Sequence, residues 1–276
     1  MIPIHNSDKT TQKKIIVNRL SKLNDYDFSE PHRHDYFEFF YFEKGGGTHA
    51  IDFEKFEIQN QSVHIVAPGK VHHVARELDS NGFVCLFELD ALGAQSEVNE
   101  FLFEHECCSI TEMPPYYSFK NDQRDFINAV TKSINSTIDE SSELDQVNVR
   151  ALVQSLAIEC MKVKGVAVLP KENDVYVSFR KLLLANFREY KKVKEYAEQL
   201  CISEKVLGEL VKHRTGKSTS DIIYDQIILE AKRLLLTGIS TKETAYNLNF
   251  EDPAHFSKFF KSKVGCSPSE FGKVQD

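Results

Sequence analysis

No apolar run in the 276-residue chain approaches the roughly 20 residues that a membrane-spanning helix needs. The opening residues, MIPIHNSDKT, lack the charged-then-apolar pattern of a secretory leader, so a cytoplasmic protein with no membrane partner is expected. The six cysteines (85, 107, 108, 160, 201 and 266) show no CxxC spacing. Adjacent Cys107 and Cys108 cannot easily bridge to each other, which leaves reduced thiols as the default. Positive charge is also in deficit: 34 Lys+Arg stand against 41 Asp+Glu, a net of −7. Taken whole, that balance argues against a nucleic-acid partner.

The deficit is not evenly spread. Residues 1–174 hold 17 Lys+Arg and 28 Asp+Glu, a net of −11, whereas residues 175–276 hold 17 and 13, a net of +4. An acidic half and a mildly basic half suggest a division of labour, with the basic half the candidate for a polyanion. The length favours two domains, and 41% hydrophobic residues with 20 phenylalanines supply material for their cores.

The acidic half reads first as β. The runs YFEFFYF, THAIDFEKFEI, SVHIVA and GFVCLFEL are separated by EKGGG and APGK, a spacing that suits an antiparallel barrel or sandwich. From Asp122 the pattern turns helical, and the segment 144–164 is apolar around most of its circumference through Val149, Leu152, Val153, Leu156 and Ile158. A helix buried between its own barrel and a second subunit, or one simply packed on the barrel, accounts for it. Residues 165–174, GVAVLPKEND, read as a linker.

A repeat lies in the basic half. VKEYA at 193–197 recurs as TKETA at 241–245, an offset of 48, and beyond the turn the offset becomes 49. Leu207 then matches Phe256, Lys212 matches Lys261, Gly216 matches Gly265 and Ser218 matches Ser267. Each copy reads as helix, tight turn, helix, with Ala197 or Ala245 allowing close approach and Asn249 at a reversal that tolerates left-handed backbone. In the second copy Asp252 can cap a helix, Pro253 suits its first position and Gly265 can end it. Phe256, Phe259 and Phe260 anchor one face, while His255, Lys258, Lys261 and Lys263 are expected on the other, toward DNA. Residues 220–238 read as a rigid connecting helix.

The string LNFEDPAHFSKFFKSKVGCSPSEF resembles the second helix-turn-helix of the AraC/XylS family of transcription regulators, and LCISEKVLGELVKHRTGKS resembles the first. The resemblance implies base edges approached from Lys205, Gly208 and Glu209 in the first copy and from Ala254, His255 and Lys258 in the second. Lys212, Lys261 and Lys263 join them as DNA-binding candidates. This chain departs from the family at Gly208 and Glu209, where long polar or basic side chains are common, and at Ile227 and Gly272, where arginine is common. PHRHDYFEFFYFEKGGGTHAID with QSVHIVAPGKVHHV resembles the cupin-type effector domain of such regulators. The fold class expected is α+β multidomain: an N-terminal cupin-like β-barrel (1–121), a helical dimerisation region (122–164), the linker, and an all-α domain with two helix-turn-helix units (175–276). Double-stranded DNA, a small-molecule effector and a second copy of the chain are the implied partners, and the reading admits RNA polymerase.

His32, His34 and Glu38 share strand parity, and His72 follows Pro68-Gly69, so the four can meet. Three imidazoles and a carboxylate can hold a divalent transition metal, which keeps open a metal-dependent cupin enzyme with an appended helical domain. Tyr26 and the Gln61-Ser62 pair stand where the metal-binding motifs carry glycine. The expectation is therefore four residues lining an organic effector's pocket, with no catalytic residue, no metal and no cofactor.

Overall fold

The computed structural model describes residues 4–5, 15–20, 31–93, 97–103, 115–119, 121–137, 142–165 and 175–273. The chain divides into two compact units, residues 2–168 and 169–276.

The first unit contains β1 (Ile4–His5), β2 (Ile16–Arg19), β3 (Arg33–His34), β4 (Phe37–Lys44), β5 (Gly47–Ile51), β6 (Glu54–Glu57), β7 (Ser62–Val66), β8 (His72–Arg76) and β9 (Asn81–Phe87). A helical turn at Leu89–Leu92, α1 (Glu97–Phe101), β10 (Tyr116–Ser118), α2 (Asn121–Ser136) and α3 (Glu143–Lys164) complete it. Five strands pair antiparallel in the order β10-β7-β4-β9-β2, and three more pair antiparallel in the order β6-β5-β8.

Strand β4 is buried on both faces, as a near-continuous apolar run predicts. Its odd residues Phe37, Phe39 and Tyr41 join Ile127, Val130 and Ile134 of α2 and Val149, Val153 and Leu156 of α3 in one core. Its even residues Phe40 and Phe42 join Ile51 and Val74 of the three-stranded sheet in another. Parity alone therefore sends Glu38 into the space between the two sheets.

Local structure departs from the sequence reading in places. THAIDFEKFEI is two strands, folded back at Asp52, whose φ is 53°. The run that carries His34 and Glu38 is broken by a bend at Asp35–Tyr36. Strands β2 and β10, of 4 and 3 residues, are too short to show periodicity. Helix α3 is capped by Ser142 and ended by Gly165 in left-handed conformation. The remainder of the expected linker (166–174), Tyr26, His105, Cys107 and Cys108 lie outside the described residues. Leu156 of α3 is fully buried in its own unit, whereas Leu144, Val147 and Ile158 are exposed.

The second unit is helical: α4 (Val175–Asn186), α5 (Val193–Gln199), α6 (Glu204–Thr215), α7 (Thr219–Leu236), α8 (Thr241–Asn247), α9 (Pro253–Val264) and α10 (Pro268–Lys273). Helices α5 and α8 start 48 residues apart, and α6 and α9 start and end 49 apart, as the repeat predicts. The turns are superimposable in kind: Cys201 and Asn249, 48 apart, both adopt left-handed backbone, with φ of 54° and 55°. The repeat is also longer than the sequence suggested. Arg214 lies over the Tyr176 ring of α4, and Lys263, 49 residues on, lies over the Tyr224 ring of α7. Helix α7 is therefore both connector and first helix of the second copy. Ile227 within it is 1% exposed, so this departure from the family pattern faces the core rather than a phosphate. Among the described residues no helix is long and apolar enough to cross a membrane.

Candidate nucleic-acid interface and histidine cluster

Helix α9 begins where Asp252 accepts a hydrogen bond from the Ala254 amide at 2.8 Å, and Pro253 occupies its first turn. Phe256 and Phe260 are fully buried, and Phe250 packs against Phe256 with ring centroids 5.3 Å apart. At 100° per residue, Ala254, His255, Lys258 and Lys261 then fall on one outward face, and all four are exposed. Lys263 does not share that face. Its ammonium donates to Asp221 at 3.2 Å and caps the Tyr224 ring, which ties it into the unit. Hydrogen bonds from Ser218 and Lys263 hold the Asp221 carboxyl below its ordinary range.

Helix α6 presents the corresponding face with different chemistry. Ser203 caps it, Leu207 and Val211 are buried, and Lys205, Glu209 and Lys212 are exposed. The 49-residue offset puts Glu209 where α9 has Lys258, and Lys212 where it has Lys261. Lys205 lies 4.0 Å from Glu209, an exposed pair one helical turn apart. Gly208 is half-buried at the edge of the face, with nothing within 4 Å of the position a Cβ would take.

In the first unit His32, His34, Glu38 and His72 converge, and each is 2% exposed or less. Backbone pairing does the positioning. His32 and His72 exchange amide hydrogen bonds at 3.0 and 2.9 Å, and the Gly69 amide donates to the His34 carbonyl at 2.8 Å. His34 Nε2 lies 3.2 Å from His72 Nε2, and each lies 3.4 Å from Glu38 Oε2. Neither Glu38 oxygen has a hydrogen-bond donor, although the side chain is wholly buried. Ligand atoms of His32, Glu38 and His72 lie within 4.8 Å of one another.

Two further histidines extend the cluster. His49 Nε2 is 3.2 Å from His72 Nδ1, and His49 Nδ1 is 3.2 Å from His64 Nδ1. His49 sits on β5 and His64 on β7, both fully buried; pairing sets His64 opposite Phe40 of β4, and that parity is the signal that could have found His64. Burial, followed by repulsion from the neighbouring imidazoles, pushes His49 and His72 well below the ordinary histidine range. Burial lowers His64 to about 4. Five imidazoles and the Glu38 side chain thus occupy the space between the sheets. Elsewhere in the unit, a cleft of about 640 Å³ is lined by Arg19, Tyr41, Glu43, Gln61, Asn128 and Lys132 among others. It contains none of the cluster residues.

Comparison with known proteins identifies both units. Residues 20–97 match the model of the AraC-like ligand binding domain, and residues 196–273 match a helix-turn-helix domain model. The uncharacterised HTH-type transcriptional regulator YfiF of Bacillus subtilis is 22% identical over 250 residues, covering 87% of this chain and 77% of that protein. The arabinose operon regulatory protein of Escherichia coli is 37% identical over 76 residues, 27% of this chain and 26% of that protein. The solved structure of ToxT from Vibrio cholerae aligns over 94% of this chain and 98% of its own, at 16% identity and a TM-score of 0.46.

Proposed function

The chain belongs to the AraC family of transcription regulators, DNA-binding proteins with an effector domain, and on that footing we propose how its residues divide the work. The outward faces of α6 and α9 enter successive major-groove segments, about one helical turn of DNA apart. Lys205, Gly208 and Glu209 approach bases from the first unit of the repeat, and Ala254, His255 and Lys258 from the second. Lys212 and Lys261 meet phosphates, and Lys263 meets the backbone only if it leaves Asp221. The domain limits are 1–121, 122–164, 165–174 and 175–276, and the protein acts in the cytoplasm as a regulator without catalytic activity of its own.

Effector control resides in His32, His34, Glu38 and His72. Assembly is a homodimer through α3, whose exposed Leu144, Val147 and Ile158 follow one another at helical spacing on a single stripe. RNA polymerase is the partner through which binding alters transcription.

The observation that carries the DNA reading is the pair of matched helix faces, alike at Lys212 and Lys261 but opposite in charge at the central position, Glu209 against Lys258. Lysine at that position can reach guanine O6 or N7, worth roughly 1–3 kcal/mol of discrimination, whereas glutamate is repelled by phosphates unless a cytosine amino group faces it. The test selects a site for the full chain from a random DNA pool and measures competition by singly substituted sites. Lys258→Ala should relax specificity in one half of the site more than Lys205→Ala does in the other. Lys261→Ala should weaken all sequences about equally and reduce the salt slope by about 1. Equal losses from Lys205→Ala and Lys258→Ala would overturn the asymmetry.

A further inference from the structure

We propose that the cleft between the five-stranded sheet and α2 binds a small molecule carrying both an ammonium and a carboxylate group, a free amino acid or a short peptide. This site lies on the other face of the sheet from the histidine cluster. It stands apart from the effector reading given to that cluster.

Strand register builds the floor. Arg19 of β2 pairs with Phe83 of β9, and Phe83 pairs with Tyr41 of β4, so the three side chains form a row on one face of the sheet. That face is the helix side: Tyr41 and Phe83 belong to the core shared with α2, whereas Phe40, like Glu38, points the other way. Helix α2 supplies the opposite wall through Asn128, Thr131, Lys132 and Asn135, at the i, i+3, i+4, i+7 spacing of one helical stripe. Two polar contacts pin wall to floor. Gln61 Nε2 donates to Asn128 Oδ1 at 3.2 Å, and the Arg19 guanidinium donates to the Asn135 carbonyl at 3.5 Å. The cleft along this seam has a volume of about 640 Å³. Sites for small molecules fall at about 300–1,000 Å³.

Three of the lining groups select the ligand. Tyr41 is 3% exposed, yet its hydroxyl has no hydrogen-bond partner. The neighbouring Thr131 hydroxyl gives its proton to the Ile127 carbonyl at 2.8 Å and forms no bond of ordinary geometry with Tyr41. Burial raises the Tyr41 pKa, offset in part by Thr131 and reinforced by the Glu43 carboxylate. The phenol therefore keeps its proton and meets a ligand as a donor. Glu43 reaches the cleft from β4 and Lys132 from α2, and both are exposed. Neither forms an ion pair with the other or with any other described residue.

That set of groups excludes most ligand classes. An apolar molecule would cover the Tyr41 hydroxyl and the carboxamides without bonding to them. A phosphate or dicarboxylate would meet Lys132 but be repelled by Glu43, and a polyamine would meet Glu43 but be repelled by Lys132. A molecule with both charges satisfies the two together: its ammonium donates to Glu43, and its carboxylate accepts from Lys132 and from the Tyr41 hydroxyl. The length of cleft toward Arg19 and Asn135 takes a polar side chain or a second residue. Such an occupant touches β4 and α2 at once, so it holds the helix to the sheet. Helix α2 in turn shares its core with α3, through Ile127 and Ile134 with Val153 and Leu156. Binding therefore stabilises the first unit by mass action.

The test exposes the full chain to each of the protein amino acids and to L-alanyl-L-alanine at millimolar concentration. At least one should raise the melting temperature and bind at one equivalent per chain in calorimetry. Relative affinity for the amino acids and the dipeptide distinguishes the two sources. N-acetylation, which removes the ammonium, and amidation of the carboxylate should each weaken the best of these probes about 10-fold or more. Glu43→Gln and Lys132→Met, both at exposed positions, should do the same. Tyr41→Phe should also weaken binding without lowering the melting temperature of the ligand-free chain, because it deletes a hydroxyl that bonds to nothing. A tyrosine with a purely structural role would show the opposite pair of results. Failure of every probe to bind overturns the proposal. Equal binding of the acetylated or amidated probe overturns the ligand class. Binding undiminished in all three variants puts the ligand elsewhere and overturns the cleft.

Discussion

Lowering the pH from 7 to 5 should destabilise the first unit, and His64 allows the amount to be worked out. Its conjugate acid is disfavoured by burial between the sheets, so its pKa falls from 6.5 to about 4. Between those values the unfolded chain binds more protons than the folded one, and stability must fall as pH falls. At pH 7 the group is neutral when folded and about one-quarter protonated when unfolded. At pH 5 it is almost wholly protonated when unfolded and about one-tenth protonated when folded, a loss of about 2 kcal/mol from this residue alone. His49 and His72 shift in the same direction and add to it. The second unit serves as an internal control. Its lowered carboxyls, Asp221, Glu243 and Glu270, contribute stability that is lost only as pH drops below their unfolded values of 3.8 to 4.5. Urea unfolding of the full chain, followed by circular dichroism and tyrosine fluorescence at half-unit steps of pH, measures the fall. His64→Leu should remove about 2 kcal/mol of it, whatever the variant's stability at pH 7. A wild-type first unit as stable at pH 5 as at pH 7, or an undiminished fall in the variant, would refute the reasoning.

Three further outcomes follow from named positions. Leu156→Ala should cost about 2–5 kcal/mol by opening a cavity in the first unit, whereas Leu144→Glu with Ile158→Glu should leave its melting temperature unchanged and convert dimer to monomer in light scattering. Asn249→Val should destabilise the second unit by about 1–3 kcal/mol because a β-branched residue resists the left-handed backbone there, and Asn249→Gly should not; thermal unfolding distinguishes them. Gly208→Lys should fold normally, since its Cβ meets open space, and should strengthen operator binding in a salt-dependent way, read by fluorescence anisotropy at two salt concentrations.

Much of the second unit was legible in the residues because its determinants are local. Caps, helix stops and apolar spacing act within one or two turns, so Asp252, Gly216, Gly265 and the 48- and 49-residue offsets located α5, α6, α8 and α9 without any tertiary information. The reversal at Asn249 was readable for the same reason, although its counterpart Cys201 carries no residue-type signal. On β4, alternation likewise sends Glu38 to the face of Phe40 and Phe42, whereas His34 reaches it from β3, beyond the bend at Asp35–Tyr36. Other features depended on pairing between distant segments. His49 joins His72 and His64 only through the register of β5, β7 and β8 across two sheets. Lys263 is drawn to Asp221, 42 residues away, and Leu156 is core while Ile158 is surface because α3 turns one particular stripe toward β4. Composition and periodicity state which residues can be buried or charged; which of them meet is set by how the strands align and how each helix is rotated about its axis, and those contacts exist only in the folded chain.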